Sequence, residues 1–351
     1  MDCIVIGGGV AGLASAEALL QRGHTVTVLE RAQCGLESSW AGGGILSPLC
    51  PWDYAEAVTR LTNRGAALFP AWADALLRET GIDPEYLVSG MCVLPPFDRA
   101  AALGWCAAHH VRVEQGADAA ASEALLLPDV AQVRNPRLMR ALRRRVELLG
   151  ARIIEQCSVS EVVAQAGRVQ KLATSLGDFS AERYILTAGA WSTQVMGQHA
   201  LNLDIKPIRG QMLLFKFDQP PFTRILLQKD LYLIPRRDGH VLAGSTLEDT
   251  GFDKSTTRAA SDYLRQRAEA IFPQLKGMPL VSHWSGLRPG SPDNIPAIGP
   301  HPRLENLYIN SGHFRYGVTM AAASVEILVN DLTGAPQVLD VTPYRGAWGM
   351  P

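Results

Sequence analysis

Asp2 opens an unbroken apolar run, Cys3, Ile4, Val5 and Ile6, which stops at three consecutive glycines. From Leu13 to Leu20 small and apolar residues recur at helical spacing, and Arg22 and Gly23 supply a basic last turn and a C-cap. A β-branched run over 25–29 follows and closes on Glu30. The predicted order is strand, glycine turn, helix, strand, acid. Further on, the pattern predicts a helix over 54–81 with a kink or break at Pro70, and a short strand over 91–94 stopped by Pro95 and Pro96. The Ala-rich stretch 100–127 reads as surface helix. Residues 136–150 read as a basic amphipathic helix with Arg143, Arg144 and Arg145 on a solvated face.

Strands are predicted over 152–154, then over 159–163 and 168–172 as a hairpin around Gly167. Another, over 183–186, ends in the small-residue turn Thr187-Ala188-Gly189-Ala190-Trp191-Ser192. Three β-type runs, 211–217, 231–235 and 241–245, follow in series, with Arg236-Arg237-Asp238-Gly239 as a hairpin turn. A helix over 261–272 leads into a Pro- and Gly-rich stretch, 282–299. The chain then gives a strand over 307–310, a turn over 311–317 and an apolar helix over 318–332. Strand–helix units at the start, middle and end predict a parallel sheet, and strands without intervening helices predict an antiparallel one. The fold class is therefore α/β. A discontinuous Rossmann-like nucleotide domain covers about 1–50, 134–200 and 283–351, and an inserted α+β substrate domain with an antiparallel sheet covers about 51–133 and 201–282.

Composition narrows the function classes. A chain of 351 residues holds two domains of about 150 residues. At 47% hydrophobic and 19% charged residues it can bury a large core, which excludes disorder for its bulk. The net charge of −1 gives no electrostatic reason to expect nucleic acid or an anionic membrane. The six cysteines include no C-x-x-C spacing, so neither a zinc site nor a thioredoxin-type pair is indicated. No signal-type start is visible, and no apolar run approaches the roughly 20 residues of a membrane span. The expectation is a soluble, reduced, cytoplasmic protein without a resident metal.

Gly7, Gly9 and Gly12 have the spacing of a dinucleotide fingerprint, and Glu30 stands where an acid about 20 residues on holds a ribose diol. Gly7 permits the tight turn, Gly9 clears the path of a pyrophosphate and Gly12 lets helix and strand pack. The first-turn N–H groups of the helix then face phosphate. Spacing alone does not distinguish NAD from FAD. Arg288, in the apolar setting of Leu287 and Pro289, is the candidate for a bidentate carboxylate clamp; an internal salt bridge is the alternative.

Four further segments carry a resemblance: Glu37-Ser38-Ser39-Trp40-Ala41-Gly42-Gly43-Gly44, Thr187 to Ser192, Trp284-Ser285-Gly286-Leu287-Arg288-Pro289, and Gly312-His313-Phe314-Arg315-Tyr316-Gly317. With the fingerprint, these resemble the D-amino-acid oxidase superfamily of FAD enzymes, and within it the glycine-oxidising branch of the thiamine pathway. The resemblance implies non-covalent FAD with its AMP half on Gly7, Gly9, Val10, Ala11, Gly12, Glu30 and Arg31, and with the backbone of Val159 against adenine. Ser38, Ser39, Ala41, Gly42, Gly43 and Gly44 would pass the pyrophosphate and flavin, joined by Ala188, Gly189, Trp191, Gly286 and Arg288. His313, Phe314, Arg315, Tyr316, Gly317, Val318 and Thr319 would meet the flavin edge where negative charge accumulates on reduction.

For the substrate, the resemblance implies Arg288 and Tyr232 on the carboxylate, with Arg315 and Gly44 beside them. Neither His313 nor His283 is needed as a base. The implied reaction is hydride transfer from Cα of glycine, or of a small amine such as sarcosine, to flavin N5. It yields an imine, then glyoxylate and ammonia, with oxygen reduced to hydrogen peroxide. A thiazole synthase partner and a homotetramer are further implications. A D-amino-acid dehydrogenase passing electrons to a quinone is the alternative. Tyr316 departs from the family pattern, which has Asn there, so the pocket beside the flavin is expected to differ in shape.

Overall fold

The computed structural model describes residues 1–114 and 123–346. The chain begins β1 (Asp2–Ile6), α1 (Val10–Leu20), β2 (Thr25–Leu29), a short α2 (Ser38–Ala41) and a long α3 (Glu56–Thr80). It continues β3 (Leu87–Val88), β4 (Met91–Leu94), α4 (Arg99–Ala108), β5 (Leu125–Leu127), β6 (Ala131–Gln132) and α5 (Asn135–Leu148). Five strands follow: β7 (Arg152–Ile154), β8 (Val159–Gln165), β9 (Arg168–Thr174), β10 (Gly177–Phe179) and β11 (Arg183–Leu186). After α6 (Ser192–Met196) come β12 (Lys206–Lys216), β13 (Ile225–Gln228), β14 (Leu231–Pro235), β15 (His240–Gly244) and α7 (Arg258–Ile271). The rest is β16 (Ser282–Gly290), β17 (Ala297–Pro300), β18 (Leu307–Ser311), α8 (Gly317–Thr333) and α9 (Thr342–Arg345).

A six-stranded sheet runs in the order β17-β18-β11-β1-β2-β7, parallel except at its β17 edge. Both of its faces are buried. Cys3 and Val5 pack under helices α1, α5 and α8, whereas Ile4 and Ile6 pack against Val162, Val169 and Leu172 of the β8–β9 hairpin. That is why β1 is a continuous apolar run rather than an alternating one. The second large sheet has seven strands, β16-β12-β15-β14-β13-β4-β5, antiparallel except where β13 meets β4. Helix α7 covers one face through Leu264 and Ala268, and Ala102 and Cys106 of α4 join the core on the other.

Several sequence expectations need correction. The stretch 100–127 is not one surface helix: α4 ends at Ala108, β5 is a buried strand, and the expectation for 115–122 lies outside the described residues. Pro70 does not break α3; it sits on the exposed face of the helix. Arg145 is not solvated: it is 6% exposed and pairs with the equally buried Glu17 at 2.9 Å. Arg143 fits the polar-face reading better, bonded to Glu155 and Glu147. The Pro- and Gly-rich stretch contains β16, which pairs along nine residues with β12. Residues 283–290 thus belong to the antiparallel sheet, and α3 packs on α5 and α8 beside the parallel one, both unlike the division drawn from sequence.

Candidate active site

Strands β1, β2, β11 and β18 end at a common edge, where a parallel sheet of this type binds nucleotides. A deep cleft opens there and continues to the face of the antiparallel sheet. Gly7 turns the chain at φ +110°, and a Cβ on it would lie 2.6 Å from the Thr187 carbonyl oxygen. Thr187 in turn donates to the carbonyls of Ile6 and Gly7, both at 2.9 Å, which fixes the end of β11 to the turn. Gly9, Val10 and Ala11 line the cleft, so the positive end of α1 faces it. Glu30 is 7% exposed and accepts from the backbone N–H of Gly8 at 2.8 Å and of Ala32 at 2.9 Å. Arg31 stacks over the Trp191 ring at 3.6 Å and pairs with Glu37 at the cleft mouth.

The wall opposite is the loop that follows α2. Gly44 has φ +76°, and a Cβ there would meet the Val133 carbonyl oxygen at 2.1 Å. Arg236 holds this loop. Its guanidinium is buried and donates to the carbonyls of Gly43 (2.6 Å) and Val133 (2.8 Å) and to Gln132 Oε1 (2.8 Å). Burial lowers its pKa to about 10, so it stays charged. Sequence alone marked Arg236 only as a turn residue; its register at the end of β14 carries no signal of the loop it would reach.

Every residue singled out for cofactor or substrate lines this cleft except Gly12, whose place is behind the turn, with a would-be Cβ 1.9 Å from the Gly7 carbonyl oxygen. The structure adds residues that sequence reasoning missed, among them Asn135, Gly210, Met212 and Ser245. Asn135 Nδ2 donates to the Ser39 carbonyl at 2.8 Å, while its buried Oδ1 has no partner. Two helix N-termini (α1 and α8), an acid placed for a diol and an orphaned buried acceptor fit an elongated, anionic, hydroxyl-bearing cofactor such as FAD.

The far end of the cleft lies against the antiparallel sheet. Arg288 on β16 donates from Nη1 to the Thr246 carbonyl at 3.1 Å and from Nη2 to Ser245 Oγ at 2.7 Å. No carboxylate lies within ion-pair distance of it or of Arg315 among the described residues, which excludes the internal salt-bridge alternative there. Arg209, by contrast, pairs with Glu248 and Asp253, each at 2.6 Å. Burial holds the Arg288 pKa below its ordinary value. Tyr232, 7% exposed, and Tyr316, 4% exposed, wall this end together with Met212 and Leu49. Burial, with Tyr54 beside it, pushes the Tyr316 phenol well above its ordinary pKa, so it remains a neutral donor, here to the Tyr54 hydroxyl. His313 is lowered by burial to about 4 and hydrogen-bonds Ser324 through Nε2 at 3.1 Å, so it is neutral.

The chain matches the family of FAD dependent oxidoreductases (DAO) over residues 2–330. It is 42% identical to glycine oxidase of Pseudomonas aeruginosa, over 98% of both chains. It is 31% identical to the bifunctional protein ThiO/ThiG of Trichormus variabilis, over 94% of this chain and 52% of that one. Among solved structures it superposes on glycine oxidase from Geobacillus kaustophilus with a TM-score of 0.92 at 25% identity, over 98% and 97% of the two chains. The fingerprint turn, the cleft with its two helix ends and these matches along nearly the whole chain agree: this protein is a member of the DAO family of FAD-dependent oxidoreductases.

Proposed function

We propose that this enzyme oxidises glycine, and small amines such as sarcosine, with oxygen as acceptor, giving an imine that hydrolyses to glyoxylate and ammonia. The observation that carries this reading is the Arg288 guanidinium, left without an acid at the blind end of a FAD cleft. FAD, when bound, supplies the chemistry by taking the hydride from the substrate Cα and passing the electrons to oxygen as hydrogen peroxide. Arg288 binds the carboxylate and sets its plane, because a guanidinium fork offers two parallel donors. Arg315 adds a second positive charge. Two guanidinium groups also disfavour a third cation nearby, so they drive the substrate ammonium toward the neutral amine whose lone pair assists hydride departure. Among the described residues this end of the cleft has no carboxylate lining, and neutral His313 is already bonded to Ser324, so the proton passes to water.

In this reading the parallel sheet is the core of a nucleotide domain and the antiparallel sheet that of a substrate domain. The fused ThiO/ThiG relative supports a thiazole-forming partner that consumes the imine. Anaerobic flavin reduction by glycine tests the assignment. Arg288→Lys keeps the charge but loses the fork, and loss of a charge-assisted hydrogen bond of about 1.5–3 kcal/mol weakens glycine binding roughly 10- to 150-fold. Arg288→Ala is expected to cost more, with FAD content unchanged and carboxylate-free amines little affected. Equal handling of glycine by Arg288→Ala overturns it. Peroxide formation separates the oxidase from a quinone-linked dehydrogenase.

A further inference from the structure

Beside the substrate end of the cleft lies a second cavity of mixed character, with Trp52, Tyr54 and Phe97 as its aromatic wall and Asp53, Asp98, Lys229 and Asp230 as its charged rim. Leu49 and Arg315 line both cavities. Tyr316 lines only the first and Tyr54 only the second. The two tyrosines stand back to back, ring centroids 5.1 Å apart and planes at 86°, with their hydroxyls hydrogen-bonded to each other. The Leu49 N–H donates to the Tyr316 hydroxyl at 3.5 Å, which anchors the pair from the loop side. Behind Tyr54 one wall of the annex is aromatic: Trp52 and Phe97 lie 6.0 Å apart, centroid to centroid.

We infer that the Tyr54–Tyr316 pair is the size filter of the substrate pocket: a rigid partition that closes off an annex with one aromatic wall and confines the enzyme to substrates with little or no side chain. The inference deepens the amino-acid reading above and rests on it. A phenol ring fixed by two hydrogen bonds and a perpendicular neighbour cannot swing aside without breaking them, so a side chain growing from the substrate toward the annex meets a wall. Shortening Tyr316 joins the two cavities. Each substrate methylene that packs on the Trp52 and Phe97 wall then leaves water for aromatic surface, which raises affinity about fourfold.

The test is the binding of straight-chain monocarboxylates, acetate through butyrate to hexanoate, to the FAD-loaded enzyme, read from the perturbation of the flavin absorption spectrum. Wild type is expected to bind the longer acids no better than acetate. Tyr316→Ala is expected to bind them progressively better, by about fourfold per methylene. Tyr316→Phe keeps the ring but loses the two hydroxyl bonds that fix it, so its gain is expected to lie above wild type and well below that of the Ala variant. An Ala variant with the wild-type trend overturns the inference, as does a Phe variant that behaves like Ala. Should Tyr316→Ala fail to take up FAD, Tyr316→Leu, which also removes the aromatic wall but keeps an apolar side chain, is expected to show a gain in the same direction, and a flat trend there overturns the inference equally. Glycine turnover keeps the two claims apart. Absent glycine oxidation with a changed acid trend sinks the functional reading and leaves the filter standing.

Discussion

Glycine at position 210 shows how a single hydrogen-for-methyl difference reaches the active site. Gly210 faces Gly286 across β12 and β16, and Arg288 lies two residues further along, so its guanidinium lies across Gly210. A Cβ on residue 210 would stand 2.1 Å from Arg288 Nη1 and 2.3 Å from Nη2. The obstructing atoms are the end of a flexible side chain, so in Gly210→Ala the fork moves and the fold survives. We expect KM for glycine to rise about tenfold or more, from the loss of a charge-assisted bond, with FAD affinity and Tm near wild type; steady-state kinetics and flavin titration check this. Arg288 was legible in the sequence because a charged residue stood in an apolar segment. Gly210 was not, since a lone glycine in a β run does not reveal which side chain crosses it. Arg145 was misread for a related reason: its partner, Glu17, lies in a distant segment, and local spacing cannot show a neighbour brought in by the fold.

At the scale of elements, legibility followed how local the defining signal is. The β1–α1–β2 unit announces itself through its apolar runs and glycine turn. Strand β16 was hidden because Gly286, Pro289 and Gly290 interrupt its alternation and its ladder is formed with distant β12. The packing of α3 on α8, whose first turn lines the cleft, was equally invisible. There Gly65 allows close approach: a Cβ on it would lie 1.9 Å from the carbonyl oxygen of Thr319 in the first turn of α8. Alanine would favour the helix by about 1 kcal/mol. Overpacking against an immovable backbone atom costs about 1–3 kcal/mol and wins. Gly65→Ala should therefore lower Tm by several degrees, at about 2–4 °C per kcal/mol, and loosen FAD, because Thr319 lines the cleft. Calorimetry and FAD dissociation measurements decide.

The whole molecule inherits a pH dependence from its buried histidines. His313 titrates near 4 when folded, burial being the cause, against 6.5 when unfolded. Between those values the unfolded chain holds the extra proton, so stability rises with pH. The contribution is complete above about pH 6.5 and is lost as pH falls toward about 4, amounting to about 3 kcal/mol. His301 and His283 shift in the same direction through burial and steepen the fall. Unfolding midpoints of the FAD-saturated protein at pH 7 and pH 4.5 should differ accordingly, and His313→Gln should narrow the gap. The two-sheet architecture was legible from strand series with and without helices; the membership of each sheet was not, because strand pairing is a property of the closed molecule.

The parallel sheet also fixes a timetable. Strand β1 emerges well before its neighbour β11, which ends at Leu186, and the sheet is extended by β18, which ends at Ser311. The α8 end that closes the cleft comes later still. Pairing across such sequence separations is slow, because loop closure precedes any reward. During synthesis, then, the glycine turn leaves the ribosome well before the segments that complete its edge, and the cleft has its full lining only after Thr319 has been made.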